Sequence, residues 1–98
     1  MFYKIEISDI VYSDIKELTD YLYSVSHSKI LSDKLADELF KVIFSLNFMP
    51  EMYQKYLWEY RRVIVNGSYK IIYKIDEKNK KVIIIRVVRA EKIKINLN

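Results

Sequence analysis

Cysteine is absent from these 98 residues, which excludes a disulfide framework and any thiolate metal site. A single histidine, His27, leaves no His cluster to bind a metal and argues against a His-dependent triad. No metal or cofactor is therefore expected. One glycine and one proline argue against a loop-rich or disordered chain. No apolar run reaches the roughly 18 residues of a membrane span, and the N-terminus lacks a signal-peptide pattern. The expected location is the cytoplasm, with no membrane partner.

Arginine is also scarce, and its placement is informative. Arg61, Arg62, Arg86 and Arg89 all fall in the second half, against thirteen lysines spread along the chain. A guanidinium is planar, permanently charged and bidentate toward phosphate, which a lysine ammonium is not. Net charge divides the same way. Residues 1–59 carry six Lys against ten Asp and Glu, net −4, whereas residues 60–98 carry seven Lys and four Arg against three acids, net +8. A basic half joined to an acidic half points to a phosphate-bearing or acidic partner. The competing reading is that the lysines merely solvate a sheet edge.

What is abundant fits one soluble domain over residues 1–98, with 51% hydrophobic and 31% charged residues. Phe2–Ser8 alternates with period two and predicts a strand, with Tyr3, Ile5 and Ile7 on one face. Ser8 or Asp9 can cap the helix that follows, whose stripe is Val11, Ile15, Leu18, Leu22 and Val25. Asp14, Glu17 and Asp20 are read as lying off that stripe. Residues Ser24–Ser28 predict a short turn. A second helix then runs to about Leu46, burying Leu35, Leu39, Val42, Ile43 and Leu46, and Asn47 and Pro50 end it. Met49–Leu57 is the expected exposed loop. Strands are expected near Glu59–Val65, at Ser68–Ile75 and at Val82–Val88, with Asn66-Gly67 as the strongest hairpin signal. The last run is nearly all apolar, as in a strand covered on both faces. The tail from Ala90 reads as polar and fraying. The predicted class is α+β, order β-α-α-β-β-β, a helical hairpin packed on a mostly antiparallel four-stranded sheet.

That order resembles the bacterial toxin superfamily of RelE and ParE. So do Ser8 before the first helix, "SLNFMPE" at 45–51, and the block "YRRVIVNGSYKIIYKIDEKNKKVIIIRVVR" at 60–89. Arg61 or Arg62 followed by Tyr69, Ile71, Tyr73 and Ile75 matches the family's arginine and alternating Tyr/Ile strand. The resemblance implies the toxin of a type II toxin–antitoxin (plasmid stabilisation) module, held silent by a small acidic antitoxin. It leaves two activities open. ParE-like members inhibit DNA gyrase and cut nothing, whereas RelE-like members enter the ribosome and cleave mRNA. The long helical hairpin is closer to the ParE branch. "LWEYRR" at 57–62 is similar to the Trp-x-x-Arg-Arg segment of YoeB-like ribonucleases. Lys70 stands where several RNA-cleaving relatives carry arginine. Arg89-Ala90-Glu91 stands where many carry His or Tyr, which puts cleavage in doubt. A further alternative is an inactive or unrelated small basic binding domain.

Cleaving RNA without a metal requires the 2′-OH deprotonated, the pentavalent phosphate stabilised and the 5′-oxygen protonated. Arg89, Arg86, Lys70 and Arg62 are the candidates for this work, Arg89 ranking first for its place at the strand end. A lysine with a pKa depressed by neighbouring cations can serve as base, and Tyr69, Tyr73 and Glu91 are weaker candidates. Tyr69 and Tyr73 share a face with Ile71 and Ile75, which favours the core for both. Arg61, Lys74, Trp58 and Lys92 are candidates for contacting the target. Arg61 and Arg62 point to opposite faces, so only one can serve a given groove. Arg86 either enters a cleft, the favoured reading, or pairs with a carboxylate such as Glu59. Trp58 with Tyr53 and Tyr56 can stack on bases, although pinning the loop to the core is favoured. His27 reads as a plain surface residue.

Overall fold

The Val/Ile-rich segment takes an interior place in the sheet. The computed structural model, which describes residues 2–90, runs β1 (Lys4–Ile7), α1 (Asp9–Ser26), α2 (Lys29–Ser45), a 3₁₀ turn (Pro50–Met52), β2 (Tyr60–Val65), β3 (Tyr69–Asp76) and β4 (Lys81–Arg89). Strand order is β1-β4-β3-β2. β1 pairs parallel with β4, and the other pairs are antiparallel. Both helices lie on one face, where Val11, Ile15, Leu35, Leu39 and Ile43 meet Val63, Ile71, Tyr73, Val82, Ile84 and Val87 in one buried cluster. The α+β class and element order are those the sequence predicts.

Glycine and asparagine do the expected work at the hairpin between β2 and β3. Asn66 and Gly67 both adopt positive φ, 55° and 66°, and the Ser68 N–H donates to the Val65 carbonyl at 3.1 Å. The helical hairpin differs from expectation. α1 continues through Ser26, so the turn begins only at His27, at φ 57°. His27 donates its N–H to the Tyr23 carbonyl at 2.8 Å, and the Ser28 hydroxyl caps α2 by accepting from Leu31. Val25, placed by its spacing on the buried stripe, is exposed. So are Tyr23, Ile30 and Leu31, because the tip of the hairpin projects past its packing partners. Ser8 does precede α1, but its side chain makes no capping bond.

The left-handed conformation at His27 carries a cost that glycine does not. His27→Gly is expected to stabilise the fold by about 1 kcal/mol, which for a domain of this size raises Tm by roughly 4–8 °C. A thermal melt followed by circular dichroism checks this, and an unchanged or lower Tm contradicts it.

β4 contains the feature that period-two reading cannot supply. Strict alternation would put Arg86 on the side of Val82 and Ile84, inside the core. Instead the register steps from Tyr73↔Ile84 to Ile72↔Arg86, leaving Ile85 as a one-residue bulge. Val87 then returns to the core and Arg86 is turned aside. The expectation that this strand is covered on both faces is corrected too. Ile83, Ile85 and Val88 remain partly exposed, because the helices cover one face only.

Candidate functional site

Arg86 is turned toward α1, and a carboxylate waits there. Arg86 Nε donates to Asp14 Oδ2 at 2.8 Å and a terminal guanidinium nitrogen donates to Oδ1 at 2.9 Å, a bidentate pair. Oδ2 also accepts the Val87 N–H at 3.0 Å. β1 ends opposite Ile84, so the edge of β4 beyond it has no strand partner, and Asp14 supplies the missing acceptor. Asp14 is only 5% exposed. Burial alone would raise its carboxyl pKa, but the bonds from Arg86 and Val87 outweigh burial and hold it below the usual range. Arg86 therefore does not enter a cleft. It does pair with a carboxylate, but with Asp14, not Glu59.

Asp14 was expected off the buried stripe, and that expectation was wrong. With Val11, Ile15 and Leu18 it makes the spacing i, i+3, i+4, i+7, so the helical period itself placed it inward. Two turns further along α1, the Tyr21 ring receives Arg89, whose Cζ lies 5.2 Å from the ring centroid. Both β4 arginines are thus held against α1.

Arg61 and Arg62 point to opposite faces, as alternation requires. Arg61 donates to two loop carbonyls, that of Tyr53 at 2.7 Å and that of Glu51 at 3.1 Å. The Tyr73 hydroxyl donates to the Pro50 carbonyl at 2.6 Å. Burial pushes the Tyr73 pKa up, which leaves it a core donor rather than an acid or base. The stretch Met49–Leu57 is consequently less loop-like than expected. Pro50 is buried, and residues 54–56 double back along β2. The Tyr56 N–H donates to the Tyr60 carbonyl at 2.8 Å and the Arg62 N–H to the Gln54 carbonyl at 3.2 Å. Trp58 sits at the tip of this small hairpin with φ 50° and 81% exposure. It does not pin the loop to the core. Tyr53 does that work, and Tyr56 lies over the other face of the sheet.

That other face is open. By register it carries Arg62, Lys70 and Lys74 with Ile64, Ile72, Ile83 and Val88; Arg86, opposite Ile72, starts on this face too but turns at the β4 edge to reach Asp14. Arg62 Cζ and Lys70 Nζ stand 5.2 Å and 4.7 Å from the Tyr56 ring centroid, and Lys70 also donates to the Tyr56 hydroxyl at 3.2 Å. Tyr56 is the residue that sequence reasoning undervalued, seeing it only as a stacking or loop-pinning aromatic. Register also puts two carboxylates on this face: Glu6, taken by Lys81 at 2.8 Å, and Asp76, engaged by Asn79. His27 lies in the helical turn instead. So the four arginines do not gather: Arg62 joins Lys70 and Lys74 on the open face, Arg61 secures the loop, and Arg86 and Arg89 lie on α1. Lys92 and Glu91 are outside the described residues. Among the described residues no three His, Asp or Glu side chains gather as a metal would require, and no helix is long and apolar enough to cross a membrane.

Residues 5–93 match the family model described as the ParE toxin of the type II toxin–antitoxin system, parDE. No curated protein matches the sequence. Among solved structures, the chain is similar to a chain of the chromosomal ParDE toxin–antitoxin system of P. aeruginosa, with a TM-score of 0.78 and 13% identity over 92% of this chain and 98% of that one. It is similar to a chain of the RelBE2 toxin–antitoxin complex of Mycobacterium tuberculosis, at 0.70 and 18% over 92% and 93%. A double-arginine variant of E. coli RelE in the free state gives 0.62 and 15% over 93% and 86%. At these identities the structural likeness establishes the fold.

Proposed function

We propose that this chain, which belongs to the ParE family of type II toxin–antitoxin toxins, arrests growth by binding DNA gyrase without cutting nucleic acid. The observation that carries the reading is the pairing of Arg86 with Asp14. A cleaving site needs its cations free to meet the phosphate and a proton carrier beside them. Here Arg86 is committed to Asp14 and Arg89 lies over Tyr21. Among the described residues, none of Arg62, Lys70 and Lys74 is paired with a carboxylate, and the one histidine, His27, lies in the helical turn. Such a surface suits an anionic or acidic partner, and Lys70 and the Tyr56 hydroxyl are the groups beside Arg62 that could carry a proton.

A cytoplasmic, acidic antitoxin completes the proposal. The solved relatives include toxin–antitoxin complexes. On this chain the apolar row Ile72, Ile83 and Val88 between cations suits an acidic amphipathic segment. A groove lined by Leu22, Leu31, Leu35 and Tyr69 offers a second seat between the helices and the β2–β3 hairpin. The chain expressed alone, stable and harmless to growth, would argue against a silenced toxin.

The paired cations Arg62 and Lys70 favour a second reading, ribosome-dependent mRNA cleavage. The two separate when the purified chain is added to a bacterial translation reaction and mRNA 5′ ends are mapped by primer extension. The gyrase reading expects intact message. New ends inside codons, dependent on ribosomes and lost in Arg62→Ala and Lys70→Ala, would replace it with the ribonuclease reading.

A further inference from the structure

Two cations converge on one aromatic ring, and among the described residues neither has a carboxylate partner. Arg62 Cζ and Lys70 Nζ both lie within 5.2 Å of the Tyr56 centroid. Two like charges drawn to one ring repel each other, and the negative face of the ring offsets part of that. The backbone nonetheless fixes them together. Gln54–Tyr56 is hydrogen-bonded along β2, and β2 is paired with β3 from Tyr60↔Lys74 to Val65↔Tyr69. The Tyr56 hydroxyl accepts from Lys70 at 3.2 Å, and its own proton has no acceptor among the described residues. Three donors, from Arg62, Lys70 and Tyr56, are thus available to one anion on an open sheet face. Lys74 lies four residues further along β3 on the same face, about 13 Å from Lys70.

We propose that Tyr56, Arg62 and Lys70 form a phosphodiester-binding site that seats the toxin on the backbone of duplex DNA. Duplex is favoured over single strands because the Tyr56 ring is already engaged by cations. Stacking platforms for single-stranded bases present an aromatic face that is free to meet the base. The site therefore holds phosphate and reads no sequence. The choice of DNA rests on the gyrase reading, whereas the phosphodiester site itself does not.

The test is fluorescence anisotropy of a labelled 20-base-pair duplex with the full chain, titrated across 50–200 mM salt. Each phosphate contact contributes about −0.9 to the slope of log K against log salt. Arg62→Gln with Lys70→Gln is expected to flatten that slope by about 2 and weaken binding more than tenfold at 50 mM. Tyr56→Phe is expected to weaken it a fewfold with the slope kept. Lys34→Gln with Lys41→Gln, on α2, removes the same charge and is expected to do little. Equal effects from the two pairs would mean bulk charge rather than a site and overturn the proposal. So would absence of duplex binding by the wild-type chain, or an unchanged slope in the Arg62/Lys70 variant. Tighter binding of single-stranded RNA than of duplex would overturn the assignment to DNA. Unaltered thermal melts establish that each variant is folded. A chain that binds duplex in this way but leaves gyrase active keeps the site and loses the gyrase reading. Gyrase inhibition with no salt-dependent duplex binding does the reverse.

Discussion

Replacing Asp14 with alanine is expected to destabilise the protein by about 3 kcal/mol, the largest loss foreseen for any single polar side chain here. The carboxylate accepts three hydrogen bonds, two from Arg86 and one from the Val87 N–H. Its removal leaves that buried N–H unsatisfied, which alone costs roughly 1–3 kcal/mol. Loss of the charge-assisted bonds adds to this, discounted because the Arg86 side chain is 45% exposed and regains water. The pH dependence has a definite sign. The folded-state pKa of Asp14 is depressed, so its contribution is full above the unfolded value near 4 and is lost as pH falls through the folded value. Wild type and Asp14→Ala should differ most at neutral pH, and the gap should narrow in acid to the part due to the unsatisfied Val87 N–H. Urea unfolding from pH 7 downward measures this, with Arg86→Ala completing a double-mutant cycle. A gap that does not narrow as pH falls, or a coupling near zero, would mean that Asp14 does not act through this pair.

Arg61→Ala is expected to cost about 2 kcal/mol and to act locally. One guanidinium nitrogen serves the Tyr53 and Glu51 carbonyls, so its loss releases the stretch that carries the Pro50–Met52 turn and leads into the Gln54–Arg62 hairpin. Hydrogen exchange should speed at the Tyr56 and Tyr60 amides, which bond to the Tyr60 and Leu57 carbonyls, while β3 and β4 amides keep their protection. Arg61→Lys is expected to recover part of the loss, since one ammonium can also serve two carbonyls but sits on a shorter side chain. Uniform loss of protection across the sheet would show that Arg61 supports the whole fold rather than this loop.

The fold was legible wherever periodicity alone decides the structure. Val11, Ile15, Leu35, Leu39 and Ile43 announce two amphipathic helices, and Asn66-Gly67 announces its hairpin. Asp14 was legible too, because its spacing from Val11 and Ile15 puts it inward, but its charge argued the other way. The partner that makes burial tolerable lies 72 residues on, and no local rule joins them. The bulge at Ile85 leaves no mark on a run of four apolar residues, yet it decides where Arg86 points. For the same reason the site was only half visible. Alternation put Lys70 and Lys74 on one face but left open which of Arg61 and Arg62 joins them, and Tyr56 joins them through a loop that doubles back, which depends on tertiary hydrogen bonds. Trp58, expected to tuck in, is left exposed because its left-handed φ forms the turn of that hairpin.

The most direct test of a non-catalytic toxin is a titration of the purified chain into a gyrase supercoiling reaction on relaxed plasmid. Supercoiling should fall in proportion to added chain and saturate near a fixed ratio of chain to gyrase, with release on adding the antitoxin. Full supercoiling at a large molar excess of chain would contradict the gyrase reading.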